Sequence, residues 1–135
     1  MYLTLLNKKE QDLFLDMAFE LVFSDGEYTK EEKQMVSDYC DEMKIPLREA
    51  KEDDKTIEDI LSIIKQNSDK RVQKIIIFEL IGLAMADGNY DDKERAMILN
   101  MEKVFEIELE FAEECEKILM EYIKFQERIN ELVLN

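Results

Sequence analysis

Two Asp-Gly loops carry oxygen-bearing side chains at matching positions. Positions 1, 3, 5 and 8 are Asp25, Glu27, Thr29 and Glu32 in the first loop, and Asp87, Asn89, Asp91 and Glu94 in the second. Oxygen donors on a tight turn suit hard cations such as Ca²⁺ or Mg²⁺ better than soft metals. We therefore predict weak binding of a divalent cation. The predicted ligands are Asp25, Glu32, Asp87 and Glu94, with Glu27, Asn89 and Asp91 as additional candidates.

These loops differ from two familiar carboxylate metal sites. An EF-hand has glycine at its sixth position and glutamate at its twelfth, whereas here glycine is second and the twelfth residues are Val36 and Ile98. A di-iron helical bundle needs Glu-x-x-His motifs, and the chain has no histidine. The loops therefore match neither class.

The same residues also have a structural interpretation. Thr29 and Glu32 fit a capping box, in which the two side chains accept each other's backbone amides, and Asp91 and Glu94 repeat the pattern. The aspartate of each Asp-Gly pair follows a helix, whose negative dipole end disfavours a carboxylate. An Asx-turn or a bound cation would offset that cost, so both interpretations stay open.

The loops lie within an internal repeat with an offset of 62 residues, over units of about 13–50 and 75–112. The identical pairs are Leu21/Leu83, Asp25/Asp87, Gly26/Gly88, Tyr28/Tyr90, Glu32/Glu94, Met35/Met97, Ile45/Ile107 and Leu47/Leu109. Each unit contains an apolar helix, an Asp-Gly-x-Tyr loop, a charged helix start and an Ile-x-Leu segment. Because chance supplies apolar matches more readily than Asp-Gly, Tyr and Glu in one register, we predict an internal duplication.

The composition predicts an all-α fold, since three glycines and one proline leave few turns. We predict helices over 13–23, 29–43, 56–64, 68–86 and 91–105, a short piece over 47–52, and a long C-terminal helix over about 108–133. Thr56 and Ser68 are the predicted N-caps of their helices. The apolar stretch Ile75 to Ala86 is predicted to be a buried core helix, and Asp16 and Glu20 to mark a solvent-facing edge of the first helix.

The last helix carries apolar residues with a repeat of 3.5 residues, which is typical of a helix–helix contact. These residues are Phe111, Cys115, Ile118, Tyr122, Phe125, Ile129 and Leu132. We expect this seam to cover the protein's own core; the alternative is a homodimer formed through its distal half.

The chain has 135 residues, with 18 Lys and Arg against 33 Asp and Glu, giving a net charge of −15. This length predicts a single domain over 1–135. The negative charge disfavours binding to nucleic acid or anionic membranes, and favours a divalent cation or a basic protein partner. Cys40 and Cys115 lack metal-ligand spacing and are interpreted as reduced core residues; the alternative is one long-range disulfide between them. No signal peptide or membrane-spanning stretch is evident, so we expect a cytoplasmic protein without membrane insertion.

An enzyme is disfavoured by the residue types present. Without histidine there is no imidazole base and no Ser/His or Cys/His nucleophile pair, and no cofactor-binding loop is evident. Glu79, inside the most apolar helix, is the one candidate for a carboxylate with a perturbed pKa. We expect Glu79 instead to lie on a narrow solvent edge or to pair with Lys or Arg.

Over residues 10 to 125 the chain resembles the tellurite-resistance TerB-like family. The resemblance is carried by residues 23–27 with Glu32, by residues 85–89 with Glu94, and by the Ile-x-Leu segments 45–47 and 107–109. The chain departs from the family pattern at Ser24, where alanine is usual, and at Asn89, where an acidic residue is common.

The resemblance implies a compact bundle of about seven helices with a pseudo-twofold repeat and two neighbouring acidic loops. It implies that Asp25, Glu32, Asp87 and Glu94 are the acidic, metal-binding set. The family is linked to bacterial stress and metal-associated systems, has no established enzymatic activity, and occurs in a membrane-anchored DnaJ-type co-chaperone.

Together these observations predict a non-enzymatic TerB-like module that binds a divalent cation weakly and acts through protein partners. The alternative is a structural or protein-interaction domain, with an acidic face for a partner and no metal.

Overall fold

The computed structural model describes residues 1–24, 26–52 and 54–135. Within these ranges the chain forms six α-helices and no β-strand, which confirms the all-α prediction. A single-turn 3-10 helix at Leu3–Leu5 precedes the helices. These are α1 (Lys8–Val22), α2 (Lys30–Met43), α3 (Ile57–Asn67), α4 (Lys70–Ala84), α5 (Asp92–Phe105) and α6 (Glu110–Leu134).

Helix α4 occupies the centre of the bundle, where it packs against α1, α2, α5 and α6. Its residues Ile76, Ile77, Leu80 and Ile81 are fully buried, which confirms the predicted core helix. A helix that is apolar on most of its circumference can hide that surface only by being surrounded.

Most helices begin at a side-chain cap. Thr29, Thr56 and Asp91 are N-caps, as the sequence predicts. The assignment of Ser68 as the cap of α4 is wrong, because the Asp69 carboxylate accepts the Val72 amide at 2.9 Å. Ser68 instead donates its hydroxyl hydrogen to the Ile64 carbonyl at the end of α3.

The polar edge of α1 is covered by the segment between α2 and α3, so the predicted solvent-facing edge is wrong at Asp16, which is 5% exposed. Arg48 Nη2 lies 2.5 Å from Asp16 Oδ1, and Lys51 Nζ lies 2.6 Å from Glu20 Oε1. The predicted short helix over 47–52 is also wrong, since these residues are not helical. In this irregular segment Arg48 and Lys51 reach back to the carboxylates of α1.

Helices α2 and α5 end in the same way. Lys44 and Glu106, 62 positions apart, have φ values of 57° and 56°. The next amide, of Ile45 or Ile107, donates to the carbonyl of Cys40 or Glu102 respectively. This left-handed C-terminal motif ends α2 before Pro46 is reached.

Helix α6 leaves the bundle part-way along its length. Cys115 and Leu119 are buried, whereas every residue from 124 to 135 is exposed. The expectation that the whole seam covers the core is therefore wrong beyond its proximal part. In the part of the chain that the structure describes, no helix is both long and apolar enough to cross a membrane.

Candidate functional site

The glutamates of both Asp-Gly loops cap the N-terminus of the helix that follows. In α2, Thr29 N–H donates to Glu32 Oε1 at 2.8 Å, and Glu32 N–H donates to Thr29 Oγ1 at 3.1 Å. In α5 the equivalent distances between Asp91 and Glu94 are 3.1 Å and 2.8 Å. Glu32 and Glu94 are each 2% exposed. The capping boxes predicted as the structural interpretation are therefore present.

The second loop closes in an Asx-turn. Asp87 Oδ1 accepts the Asn89 amide at 2.9 Å, and Gly88 has a φ of 78°. The negative end of the helix dipole disfavours the Asp87 carboxylate. The Asn89 amide hydrogen offsets that cost, because its partial positive charge lies against the carboxylate oxygen. The corresponding Gly26 has a φ of 82°, and Asp25 itself lies outside the described residues.

The described residues of the two loops give little support to the predicted divalent-cation site. Among residues 1–24, 26–52 and 54–135, no group of three or more Asp, Glu, Cys or His side chains is arranged to hold a metal ion. Glu32 and Glu94 direct a carboxylate oxygen at their own N-cap amides, and Glu27 and Asn89 are exposed. Weak cation binding at the loops stays a prediction from the sequence.

A tyrosine and a cation pack together beside each capping box. Lys33 Nζ lies 5.5 Å from the ring centre of Tyr28, and Arg95 Cζ lies 4.2 Å from that of Tyr90. Burial, as the main cause, raises the pKa of Tyr90 to about 12. These cation–π contacts fix the loop against the first turns of the helix.

Arg95 also connects the second loop to α6. Its two terminal nitrogens each donate to a Glu116 oxygen at 2.8 Å. The hydrogen bonds from Arg95 are the main cause that lowers the pKa of the Glu116 carboxyl. Such a bidentate pair holds two helices in one relative orientation.

An acidic groove runs between α2, α4 and α6, with a volume of about 1210 Å³. Six carboxylates line it, namely Glu31, Asp38, Glu42, Glu79, Glu116 and Glu127. Two basic side chains, Lys30 and Arg95, also line it, and Arg95 is already engaged by Glu116. The groove therefore has a negative rim.

The floor of the acidic groove is apolar and rich in methionine. It is formed by Met35, Phe78, Gly82, Met85, Leu119, Met120 and Ile123. Gly82 lies beneath Met35, since a Cβ added there would be in van der Waals contact with Met35 Cε at 3.4 Å. Methionine side chains adapt to varied apolar shapes, a property found at surfaces that bind helices.

No protein-family model fits the chain, and neither the curated proteins nor the solved structures contain a matching sequence or fold. The TerB-like resemblance therefore stays a hypothesis based on the residues that carry it.

Glu79 and Glu42 have a role that the sequence does not indicate. Glu79 is 4% exposed, and its Oε1 accepts the Tyr2 amide at 3.0 Å and lies 3.2 Å from the Met1 amine. Glu42 accepts the Leu3 amide at 2.9 Å. Among the described residues both expectations for Glu79, a solvent edge or a Lys or Arg partner, are therefore wrong, since residues 1–3 cover this carboxylate.

The cysteines are confirmed as unpaired, buried residues. Burial is the main cause that raises the pKa of the Cys115 thiol to about 11. A thiol with a raised pKa is a poor nucleophile at neutral pH.

Glu102 of α5 is a second buried carboxylate that the sequence analysis missed. It is 0% exposed, and its Oε2 accepts the Ala112 amide in the first turn of α6, at 3.0 Å. Leu109, the N-cap of α6, makes no side-chain capping hydrogen bond, so Glu102 supplies the cap from a neighbouring helix. Only the tertiary packing of α5 against α6 could have indicated this role.

We predict that Glu102→Gln raises the melting temperature at pH 7. Burial, more than repulsion by Glu110 and Glu113, raises the pKa of Glu102, although the Ala112 hydrogen bond opposes the shift. The folded state therefore binds more protons than the unfolded chain between the ordinary and the raised pKa, so stability falls as pH rises through that window. Thermal unfolding at several pH values measures the effect.

The advantage of Glu102→Gln should shrink as the pH is lowered below the ordinary pKa of glutamate, about 4.3. The exposed Glu108→Gln is the matched control and should change little at any pH. A Glu102→Gln protein that is less stable than the parent at pH 7 would contradict the prediction.

Proposed function

We propose that the protein is a non-enzymatic protein-interaction module whose acidic groove binds a basic amphipathic helix of a partner. The acidic groove, with its apolar floor and carboxylate rim, is the observation that supports this proposal. Helix-in-groove recognition uses this combination, since the apolar face of the ligand enters the groove while its charged face meets the rim.

The charge of the groove favours a basic ligand. Six carboxylates against two basic side chains leave the lining with an excess of four negative charges, before the amine of Met1 is counted. Because Glu42 and Glu79 lie within reach of that amine, the carboxylates open to a ligand are those nearer the ends, at Glu31, Asp38 and Glu127. A basic ligand would be attracted over a distance and oriented by these residues.

The size of the groove favours a peptide segment over a small molecule. Ligand pockets for small molecules usually enclose about 300–1,000 Å³, and the acidic groove is both larger and open. It extends along α2 and α6 from Met1 to the second loop, where Gly88 and Tyr90 line it. Anchors spaced at helical intervals would meet Met35, Met85 and Ile123.

The internal duplication and the family relationship that the sequence predicts are also part of this proposal. The bounds of α1 and α4, and those of α2 and α5, differ by 62 residues at both ends, which supports an internal duplication. We also propose the TerB-like relationship, with the cytoplasmic location and the role in bacterial stress and metal-associated systems that it implies. These proposals rest on sequence resemblance and do not require a bound cation.

A fluorescently labelled synthetic peptide helix, with leucine on one face and lysine on the other, would test the acidic groove. We expect it to bind, with an affinity that falls at higher ionic strength because exposed charges are screened. The triple variant Glu31→Lys, Asp38→Lys, Glu127→Lys should weaken binding by at least about tenfold, a loss of about 1.4 kcal/mol. Fluorescence anisotropy measures the dissociation constant.

Two controls keep this test specific. The first control is a second triple variant, which changes three exposed carboxylates outside the groove: Glu49→Lys, Glu58→Lys, Glu108→Lys. Both triple variants move the net charge from −15 to −15 + 6 = −9. Gly82→Leu fills the floor without changing charge and should also weaken binding. Equal losses in the two triple variants, with no loss in Gly82→Leu, would contradict a groove.

A chelator separates this function from the sequence hypothesis of a cation site. Helix binding and the melting temperature should be the same with and without chelator if the loops are capping structures. A calcium- or magnesium-dependent melting temperature, lost in Asp25→Asn, Asp87→Asn, would support the cation site instead.

A further inference from the structure

We propose that two copies of this chain associate in antiparallel orientation through the distal half of α6, residues 118–134. The residues that would form the contact are Ile118, Tyr122, Phe125, Ile129 and Leu132, which are 45–82% exposed. Their spacing of four, three, four and three residues is that of a two-helix seam. The seam covers about 21 Å at 1.5 Å per residue.

The exposure of this seam is unusual for a folded chain. The residues from 124 to 134 are helical, yet all of them are exposed in the part of the chain that the structure describes. A helix of this length is only marginally stable in water unless its apolar face is covered. A contiguous exposed apolar surface is typical of a protein interface.

Charge identifies a second copy as the occupant. Residues 118–134 contain two basic and three acidic side chains, at Lys124, Arg128, Glu121, Glu127 and Glu131, a net charge of −1. The remaining 118 residues therefore hold 18 − 2 = 16 basic and 33 − 3 = 30 acidic side chains, a net charge of −14. The distal half of α6 is thus a nearly neutral surface on which two strongly acidic molecules can meet.

The same charge favours the antiparallel arrangement. Parallel helices would place two bodies of charge −14 side by side, whereas antiparallel helices place them at opposite ends of the contact. Seventeen helical residues span about 26 Å, which exceeds the Debye length of about 8 Å at physiological ionic strength. Repulsion between the bodies is then largely screened.

The residues beside the seam agree with this orientation. Glu121 and Arg128 lie seven residues apart at the same heptad position. In an antiparallel pair that position faces its counterpart, so Glu121 of each copy lies near Arg128 of the other. In a parallel pair they would face Gln126 and Val133, which carry no charge.

A second groove, which we call the basic-rimmed groove, continues the seam at the base of α6. It is formed between α4 and α6, and Ile118 and Tyr122 belong to both the groove and the seam. Its lining carries three basic side chains, Lys70, Arg71 and Lys74, against one carboxylate, Glu114. The tip of the other copy's helix, with Leu132 and Glu131, provides matching apolar and acidic groups.

Sedimentation equilibrium over a concentration series tests the dimer. We expect the intact chain to approach 2 × 16.1 = 32.2 kDa at micromolar concentration, and Phe125→Glu to weaken association by at least about tenfold. Asn130→Glu adds the same charge outside the seam and should remain dimeric. Because Phe125 is 58% exposed, its substitution should leave the circular dichroism and melting of the monomer intact.

The orientation is tested by exchanging charges. Glu121→Arg and Arg128→Glu should each weaken the dimer several-fold, and the double variant should restore it. Salt added from about 0.01 M to about 0.15 M should strengthen the dimer, because the Debye length falls from about 30 Å to about 8 Å and repulsion between the acidic bodies is screened. A chain that stays at 16.1 kDa in high salt, or a dimer unaffected by Phe125→Glu, would overturn the proposal, and unaffected single charge variants would overturn the antiparallel orientation.

Discussion

Arg48→Met is expected to lower the free energy of unfolding by about 3–5 kcal/mol, because it leaves the Asp16 carboxylate buried without its cation. Arg48 and Asp16 lie 2.5 Å apart, and their side chains are 10% and 7% exposed. Arg48 also donates to the Asp12 carbonyl at 3.3 Å, so the change releases the segment between α2 and α3. Urea denaturation measures the difference.

Lys8→Met is the matched control, because it removes the cation of an exposed ion pair. Lys8 pairs with Asp12 on the same helix at 2.7 Å, but the two side chains are 70% and 39% exposed. An exposed pair of this kind contributes about 0–1 kcal/mol. The double variant Asp16→Leu, Arg48→Met should regain most of the stability, since no buried charge remains. A small loss in Arg48→Met would show that water reaches Asp16.

Phe14→Ala is expected to cost about 3–5 kcal/mol, the usual penalty for emptying a buried phenylalanine site. Phe14 is fully buried, and its ring centre lies 5.3 Å from that of Tyr39 in an edge-to-face contact. Tyr39 lines the acidic groove and donates its hydroxyl hydrogen to the Glu79 carbonyl at 2.8 Å. The cavity should therefore loosen the groove as well as the core.

Phe23→Ala is the matched control for this substitution. Phe23 is 48% exposed at the end of α1, and it contacts the rings of Phe19 and Tyr28. Loss of such an aromatic contact should cost about 0.5–1.5 kcal/mol. Equal losses in the two variants, measured by denaturant unfolding, would contradict the location of the core.

Sequence reasoning succeeds where the signal is local. Gly26 and Gly88 adopt a positive φ in the loops that follow α1 and α4, and Thr29, Thr56 and Asp91 mark three helix starts, because turns and caps depend on neighbouring residues. Apolar periodicity likewise places α4 at the centre. For the same reason the capping boxes were visible in the sequence.

Sequence reasoning fails where two distant segments meet. Asp16 lies on a polar stripe that the sequence pattern assigns to solvent, and only the path of residues 44–52 brings Arg48 over it. The acidic groove arises from the packing of α2, α4 and α6, so its lining is scattered from Met1 to Glu127. The seam of α6 is correct in period, but periodicity does not say at which residue the helix leaves the bundle.

Helix α6 is a common wall between the two grooves, since Leu119 and Tyr122 line both. A ligand on one side that shifts these side chains alters the surface offered on the other. Thermodynamic linkage then makes the effect reciprocal. If binding of the basic helix changes the dimerisation constant by some factor, dimerisation changes the affinity for the basic helix by the same factor. Added salt would drive the two equilibria in opposite directions, so ionic strength alone would move the protein from a partner-bound state towards a self-associated one.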